Sequence, residues 1–339
     1  MYTRETNRES VVVKSSCAMR NNQRRLLGFI VGMSRSGTHW LAECLNTHAD
    51  VVVIGETAFW GRKYVQPSDN GTYSHTHLDE VQRRHRGGCK TTQASLKLSG
   101  KNGIISNVVD EFKKEGVFPE PRHVFNRICD RIAQVEKKPF VIEKTPHHIN
   151  WVERIDLAYP CAKFIIMMRE PYSFMQSYKH QGDRKHDDAR EAYRRVYHPI
   201  GCSLVYRGYV RSIRHAIAKL GDRALLVDYH DVKNQPQRVL ERVQEFLGIP
   251  NKPILLPAVN SSFPSGVRTS LRADDIFWMN FVAGREIRQM GFELKRNHGN
   301  IYEVAMSFAQ VPGWIVNVLL LMQKQVAGGL FSYLLRWLR

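Results

Sequence analysis

The sequence lacks the cysteine and histidine spacings that build disulfide or metal frameworks. Its six cysteines are scattered without C-x-x-C spacing, and several lie in apolar segments, which predicts core thiols. No group of His, Asp and Glu has the spacing of metal ligands, so we expect no metal site. The opening residues, MYTRETNRES, lack the apolar stretch of a secretory signal. We therefore expect a cytoplasmic location.

Acidic residues are scarce relative to basic ones. The chain has 50 Lys and Arg against 32 Asp and Glu, which gives a formal net charge of +18 and predicts anionic partners. A solvated basic surface explains part of this excess, and a charged cosubstrate and an anionic membrane could share the rest. Nucleic acid is not an expected partner, because finger spacings, an aromatic RNA-binding signature and a basic heptad helix are all missing.

The sequence also lacks an apolar run long enough to span a membrane. Residues 314–339 are rich in Leu, Val, Trp and Phe, but Gln323, Lys324 and Gln325 interrupt them short of the roughly 20 residues required. Polar residues fall near one helical face, which predicts an amphipathic tail over residues 299–339 that lies on a membrane, at its inner face. A helix docked on the domain or on a dimer partner is the alternative.

The most informative segment that is present is residues 29–40, FIVGMSRSGTHW. An apolar strand runs through a Gly-containing turn into a helix, and the first N–H groups of such a helix favour an anion. Gly32 and Gly37 have the spacing of a nucleoside triphosphate loop. Thr38 and His39, however, stand where that loop needs Lys and a magnesium-binding Ser or Thr, and Arg35 lies inside the turn.

A second phosphate-binding pattern lies at residues 163–177, KFIIMMREPYSFMQS. A buried strand ends at Arg169, and a proline opens the helix that carries Ser177. The guanidinium fork of arginine suits a phosphate, and the serine adds a hydroxyl donor.

Together these segments resemble the sulfotransferases that use 3′-phosphoadenosine 5′-phosphosulfate (PAPS). Residues 34–38 with Trp40 and Leu41 are similar to the family's 5′-phosphosulfate loop, and residues 163–177 resemble its 3′-phosphate motif. Weaker matches occur at residues 143–146, 227–231 and 245–250, so the resemblance covers about residues 26–292. Arg35, where cytosolic members carry Lys, resembles the bacterial and Golgi branch that includes tyrosylprotein and carbohydrate sulfotransferases.

The resemblance implies a role for particular residues. Contacts with PAPS are implied for Arg35, Ser36, Gly37, Thr38, His39, Arg169, Ser177 and Tyr229. Glu56 is implied as general base toward the acceptor, with capping or pairing with Arg62 or Lys63 as the alternative. Lys144 is expected at the sulfonate or bridging oxygen, and Arg35 at the 5′-phosphate and bridging oxygen as an electrostatic catalyst. His147 is a reserve base. Arg268 and Arg272 are expected to close over the 3′-phosphate.

Alternating strands and helices predict an α/β fold, a P-loop-like three-layer sandwich with a central parallel sheet and helices on both faces. Strands are expected at residues 27–31, 51–54, 139–143, 163–168 and 224–227. Helices are expected at residues 38–46, 123–135, 148–158, 171–180, 188–220 with a break at Pro199, 236–247 and 275–290. A flexible basic arm (residues 1–25) precedes a catalytic domain (residues 26–298), in which residues 61–118 form an insertion, either a lid or disordered.

The expected function is transfer of a sulfuryl group from PAPS to a hydroxyl or amine of an acceptor by in-line displacement. Carbohydrates, glycolipids and lipid-linked glycans are the expected acceptors. Two alternatives remain, a non-enzymatic basic adaptor at a membrane and a P-loop kinase.

Overall fold

The computed structural model describes residues 25–86, 93–100, 102–183, 187–257, 270–296 and 301–323. Within them, apolar segments form five strands: β1 (Leu26–Gly32), β2 (Val51–Gly55), β3 (Phe140–Lys144), β4 (Lys163–Met168) and β5 (Ala224–Asp228). They form one parallel sheet in the order β2-β3-β1-β4-β5. Strands buried on both faces need near-continuous apolar sequence, which is why these segments read as uninterrupted hydrophobic runs.

Helices surround the sheet. Their bounds are α1 (Thr38–Thr47), α2 (His75–His85), α3 (Gln93–Leu98), α4 (Ile104–Glu115), α5 (Pro121–Glu136), α6 (Val152–Ala158), α7 (Pro171–Lys179), α8 (Asp187–Val196), α9 (Pro199–Leu220), α10 (Tyr229–Asn234), α11 (Pro236–Leu247), α12 (Ala273–Gln289), α13 (Ile301–Ala309) and α14 (Val311–Gln323). Prolines open α5, α7, α9 and α11, where the missing N–H has no consequence and the fixed φ favours a helix start.

Two apolar cores hold the layers together. On one face, α1, α10 and α11 pack on the sheet around side chains such as Leu45, Ile142 and Val243. On the other, α4, α5, α7, α9 and α12 bury a larger set that includes Phe29 and Phe125. The predicted three-layer α/β sandwich is therefore confirmed.

The strand registers determine which residues lie together at the carboxyl edge of the sheet. Ile30 pairs with Lys144, Gly55 pairs with Lys144 from the other side, and Met168 pairs with Asp228. Because all the strands are parallel, their carboxyl ends meet at one edge of the sheet, and the loops that follow them converge there.

The insertion at residues 61–118 is more regular than its sequence suggested. It holds α2, α3 and α4, and Ile105, Val108, Val109 and Phe112 bury one face of α4 in the core. That spacing is a helical signal, which the abundance of Gly, Ser and Lys around it hid. The alternative of a disordered insertion is wrong for its described residues, whereas the lid role stays a prediction.

One predicted helix begins differently, and another contains its predicted break. Residues 146–151 form a 3-10 helix before α6, so the helix expected at 148–158 starts irregularly. The break expected at Pro199 is present, because α8 ends at Val196 and α9 begins at Pro199.

The first part of the C-terminal tail packs against the domain. The Trp314 indole donates from Nε1 to the carbonyl oxygen of Val196 at 2.9 Å, and its ring centroid lies 5.1 Å from that of His198. None of the helices in the described part of the chain combines the length and apolar character needed to cross a membrane. The basic arm before Arg25, Arg268 and the tail beyond Gln323 lie outside the described residues.

The cysteines meet the expectation only in part. Cys44, Cys129 and Cys202 are free and buried, as core thiols should be, and burial raises the pKa of each thiol. Cys161 instead is disulfide-bonded. This corrects the expectation of free thiols throughout, since scattered spacing in a sequence does not reveal which chain segments approach each other.

Candidate active site

The loop between β1 and α1 turns through left-handed backbone at Arg35 (φ 68°) and Gly37 (φ 86°). Ser36 donates its hydroxyl to the carbonyl oxygen of Met33 at 2.5 Å, which closes the turn. A Cβ on Gly37 would lie 3.0 Å from the ring of Tyr229. Gly37 precedes α1 and has no side chain that could cap it, so the first backbone N–H groups of α1 remain available to an anion. The geometry is that of an anion cradle.

Two arginines from distant motifs meet beside this cradle. Arg169 donates from Nη1 to the carbonyl oxygen of Arg35 at 2.7 Å, across 134 residues of sequence, and from Nε to Ser173 Oγ at 2.7 Å. Arg35 donates from Nε to Ser177 Oγ at 3.3 Å. The Arg169 guanidinium lies 4.2 Å from the ring centroid of Tyr229, within cation–π range. The structure therefore brings the two predicted phosphate motifs together.

The Arg169 side chain is buried and that of Arg35 is half-buried, and neither has a direct acidic partner among the described residues. Arg169 is 7% exposed, and in the described part of the chain neither Arg35 nor Arg169 forms an ion pair. Burial lowers the pKa of each group, and Tyr229 partly opposes this. Arginine nevertheless stays charged. Glu170 and Asp228 also raise the pKa of Arg169, but without a direct ion pair. A cation withdrawn from water without a direct ion pair is unfavourable, so this pair favours an anionic ligand.

The loop after β2 carries Glu56 to the same edge. Lys144 Nζ, fully buried, donates to Glu56 Oε1 at 2.9 Å, and the Glu56 N–H donates to the Lys144 carbonyl oxygen at 2.5 Å. Glu56 (φ 45°) and Ala58 (φ 52°) both have left-handed backbone, which non-glycine residues keep only where the surroundings hold them, and which is common at functional sites. Sequence reasoning offered Arg62 or Lys63 as ionic partners and did not foresee Lys144.

His147 belongs to a polar cluster at the end of the cradle. Ser34 Oγ lies 3.0 Å from Tyr209 Oη and 3.3 Å from His147 Nε2, and Tyr209 Oη lies 3.0 Å from His147 Nδ1. Partial removal from water and the positive charge of Arg62 lower the pKa of His147, although the residue as a whole is exposed to solvent. Its ring is therefore neutral at neutral pH. Tyr209 lies on α9, far from any motif, and sequence reasoning missed it.

A buried carboxylate, Glu143, lies behind this edge. Its Oε1 accepts hydrogen bonds from Thr57 Oγ1 at 2.8 Å and Thr145 Oγ1 at 2.5 Å, and its Oε2 lies 2.9 Å from His148 Nδ1. All four residues are buried. The sequence showed Glu143 only as the first residue of a weak motif, and no local signal marked His148 as its partner.

One pocket opens beside the cradle, and Ser34, Glu56, Arg62, His147 and His148 are among its lining residues. Its lining therefore includes both Glu56, the predicted general base, and Ser34 of the predicted phosphosulfate loop. A molecule in this pocket would therefore lie next to an anion held in the cradle.

Four further predicted site residues lie at helix starts or on helix faces, with different degrees of burial and different hydrogen-bond partners. Thr38 is buried at the first position of α1. His39 Nε2 lies 3.0 Å from Glu43 Oε1, one turn along the partly exposed face of α1. Ser177 is buried and accepts its hydrogen bond from Arg35 rather than from Arg169. Arg272 donates from Nη2 to Asp274 Oδ2 at 2.9 Å at the start of α12.

Metal ligands are not assembled in the described residues. No group of three or more His, Cys, Asp or Glu side chains there could hold a metal ion.

Comparison with known proteins agrees with this geometry. The family model described as the sulfotransferase family matches residues 29–253, well over half of the chain. The chain belongs to the sulfotransferase family. Family membership and fold support an enzyme that transfers a sulfuryl group. A comparison with curated protein sequences gave no match.

Solved sulfotransferase structures are similar to this chain in fold. The sulfotransferase domain of the olefin synthase from Synechococcus PCC 7002 has a TM-score of 0.51 at 17% identity, covering 80% of this chain and 96% of that one. A sulfotransferase from Alicyclobacillus acidocaldarius has a TM-score of 0.43 at 16% identity, covering 80% and 97%. A mouse sulfotransferase complexed with PAP has a TM-score of 0.29 at 14% identity, covering 80% and 68%.

Proposed function

We propose that this chain transfers the sulfuryl group of PAPS to a hydroxyl or amine of an acceptor by in-line displacement, with Glu56 as general base. The observation that carries the proposal is the approach of Arg35 and Arg169, two guanidinium groups that form no ion pair with any described residue, beside a left-handed anion cradle. Members of the family generally use PAPS, whose two phosphate groups match two separated basic groups.

The residues of the cradle fit the donor. Arg35 and the backbone of residues 36–39 would hold the 5′-phosphosulfate, and Arg169 with Ser177 would hold the 3′-phosphate. Tyr229, already against Gly37 and beneath Arg169, would contact the adenosine. PAPS supplies the activated sulfuryl group. Arg35 stabilises charge on the departing phosphate but does not protonate it, because a guanidinium rarely gives up its proton.

Glu56 would take the proton of the acceptor at its carboxylate. Its 2.9 Å hydrogen bond from Lys144 fixes the carboxylate at the pocket wall, and a positioned base of this kind contributes typically 10²–10⁴-fold to rate. Lys144 also brings a positive charge to the side of the pocket where the sulfonate is expected. Arg at position 35 together with this Glu supports placement in the bacterial and Golgi branch.

An acceptor screen with radiolabelled sulfur donor tests the proposal. The intact chain should label a carbohydrate, glycolipid or lipid-linked glycan, and Glu56→Gln should abolish labelling while calorimetry still shows binding of adenosine 3′,5′-bisphosphate (PAP). Glu153→Gln, an exposed carboxylate on α6, is the matched control and should label normally. A non-enzymatic adaptor would respond equally to both changes, and a kinase would require magnesium-dependent ATP binding.

We further propose that the C-terminal region contacts an anionic membrane. Phe281 on α12 is 73% exposed, and Ile301 and Phe308 on α13 are 83% and 64% exposed, while the chain is strongly basic. Exposed apolar side chains on a strongly basic chain favour an interfacial location.

Vesicle sedimentation tests membrane contact. The double change Phe281→Ser and Phe308→Ser should reduce sedimentation with phosphatidylserine-containing vesicles, and deletion of residues 311–339 should reduce it further. Leu157→Ser, at an even more exposed apolar residue on α6, should have no effect. Equal sedimentation of all four proteins would end the membrane proposal.

A further inference from the structure

Glu143 acts as a hydrogen-bond acceptor at both of its carboxylate oxygens. The hydroxyl of Thr57 accepts a hydrogen bond from the Phe59 N–H, and the hydroxyl of Thr145 accepts one from the Ala58 N–H. A hydroxyl has a single proton, so each threonine, with its oxygen already accepting, donates that proton to Glu143 Oε1. The carboxylate thus needs no proton of its own to satisfy these contacts.

The remaining oxygen of Glu143 fixes the tautomer of His148. Glu143 Oε2 lies 2.9 Å from Nδ1 of this fully buried ring. Since the carboxylate accepts, Nδ1 carries the proton, and in the neutral ring Nε2 then presents a lone pair. This is how a buried carboxylate orients an imidazole in other hydrogen-bonded pairs.

The other nitrogen of His148 is left without a partner. Within the described residues, Nε2 is buried and makes no hydrogen bond, and buried polar atoms are rarely left in that state. His148 lines the same pocket as Glu56. A Cβ on Gly61 would lie 2.9 Å from the Trp151 ring and 3.3 Å from Cδ2, the ring carbon bonded to Nε2, so any larger residue at position 61 would crowd this edge of the ring on the side of the pocket.

We propose that His148 Nε2 recognises a second hydrogen-bond donor on the acceptor, a hydroxyl or N–H group beside the group that receives the sulfuryl. The preferred acceptors are then polyols such as sugars rather than molecules with a single hydroxyl. This inference rests on the proposed function, because it places the acceptor in the pocket that Glu56 lines. His148 is a specificity-determining residue here, and Glu143 is the positioning residue that aims its lone pair.

The proposed recognition should be measurable as a difference in kcat/KM between two acceptors. A site built to hydrogen-bond a substrate group rejects the analogue that lacks it, because a buried polar atom is then left unpaired. We expect an acceptor without the second donor to lose roughly 10- to 100-fold in kcat/KM.

Nitrogen NMR of histidine-labelled protein saturated with PAP tests the lone pair directly. The His148 signal, assigned by its loss in His148→Asn, should show a protonated Nδ1 and an unprotonated Nε2 at neutral pH. A proton on Nε2, in either a neutral or a charged ring, would overturn the proposal, since Nε2 would then be a donor. This measurement needs no knowledge of the acceptor.

Kinetics with matched acceptors tests recognition. The best acceptor from the labelling screen is compared with its singly deoxygenated analogues. In the wild-type chain, removal of one neighbouring hydroxyl should lower kcat/KM by the expected roughly 10- to 100-fold. In His148→Phe the parent acceptor should become slower while the deoxygenated analogue keeps its rate, so the difference in kcat/KM between the two acceptors should vanish. His215→Phe, at an exposed histidine of α9, is the matched control and should keep the discrimination.

Two kinetic outcomes contradict the proposal: unchanged discrimination in His148→Phe, or a best acceptor that has one hydroxyl and no other donor. Unaltered PAP binding confirms that His148→Phe is folded. If His148→Phe does not bind PAP, His148→Gln takes its place in the kinetic comparison. Absent PAP binding or absent sulfuryl transfer in the wild-type chain would instead refute the proposed function, so the two failures are distinguishable.

Discussion

Arg169 holds the carbonyl oxygen of Arg35 at 2.7 Å from its Nη1. One guanidinium thus fixes the backbone that presents the other, and both stay charged although neither forms an ion pair within the described residues. The two ends of a doubly phosphorylated nucleotide would therefore be held by side chains that contact each other. A substitution at one arginine should then also weaken binding of the phosphate at the other.

Arg169→Ala should weaken PAP binding roughly 10- to 100-fold, because it removes a charge-assisted phosphate contact and frees the Arg35 backbone. Arg169→Lys should recover only part of this loss, since Lys keeps the charge but not the planar fork. Calorimetry measures both. Arg195→Ala, an exposed arginine paired with Glu191, should bind PAP like the wild type, and equal affinity of all variants would remove Arg169 from the nucleotide site.

Gly37→Ala should damage nucleotide binding through contact as well as backbone strain. Its φ of +86° disfavours an alanine, and the new Cβ would lie 3.0 Å from the Tyr229 ring that supports Arg169. Gly71 has a similar φ of +80° with open space around it. Both substitutions should lower the free energy of unfolding by about 1 kcal/mol, but only Gly37→Ala should weaken PAP binding. Parallel denaturation and calorimetry separate strain from contact.

The Lys144–Glu56 pair should show coupling in a double-mutant cycle. Glu56→Gln leaves the fully buried Lys144 ammonium without its carboxylate, which destabilises the fold. Adding Lys144→Met removes the orphan charge and should restore part of the stability. Because Glu56 is one-third exposed, we expect a coupling near the low end of about 0.5–3 kcal/mol. Urea unfolding measures it, and strictly additive losses would contradict the pairing.

His85 should make the fold acid-sensitive. Burial lowers the pKa of this histidine from 6.5 to about 4, with its Nδ1 2.8 Å from the Val81 carbonyl oxygen. Below pH 6.5 the unfolded chain takes up a proton that the folded chain resists, so stability falls with pH until about pH 4. The loss should approach about 3 kcal/mol. In His85→Asn, denaturation at pH 7 and pH 4.5 should show a smaller difference than in the wild type.

Much of the fold could be predicted from the sequence, and the reasons are local. Each strand is a short apolar run bounded by polar turns, and each proline at a helix start restricts the chain at its own position. The helices of residues 61–118 were missed because their apolar spacing lies among loop-forming residues. The bond at Cys161 was missed because it depends on an approach between distant segments.

The sequence by itself determined the local features on which the proposed phosphate binding depends: a glycine turn before a helix, an arginine within it, and a second arginine at a strand end are short-range patterns with short-range causes. Only the tertiary structure decided what these groups touch. Parallel strand registers brought Lys144 to Glu56 and Glu143 to Thr57, and α9 carried Tyr209 to His147. Such contacts join residues far apart in the chain, and packing of the whole sheet, rather than any local preference, sets their distances.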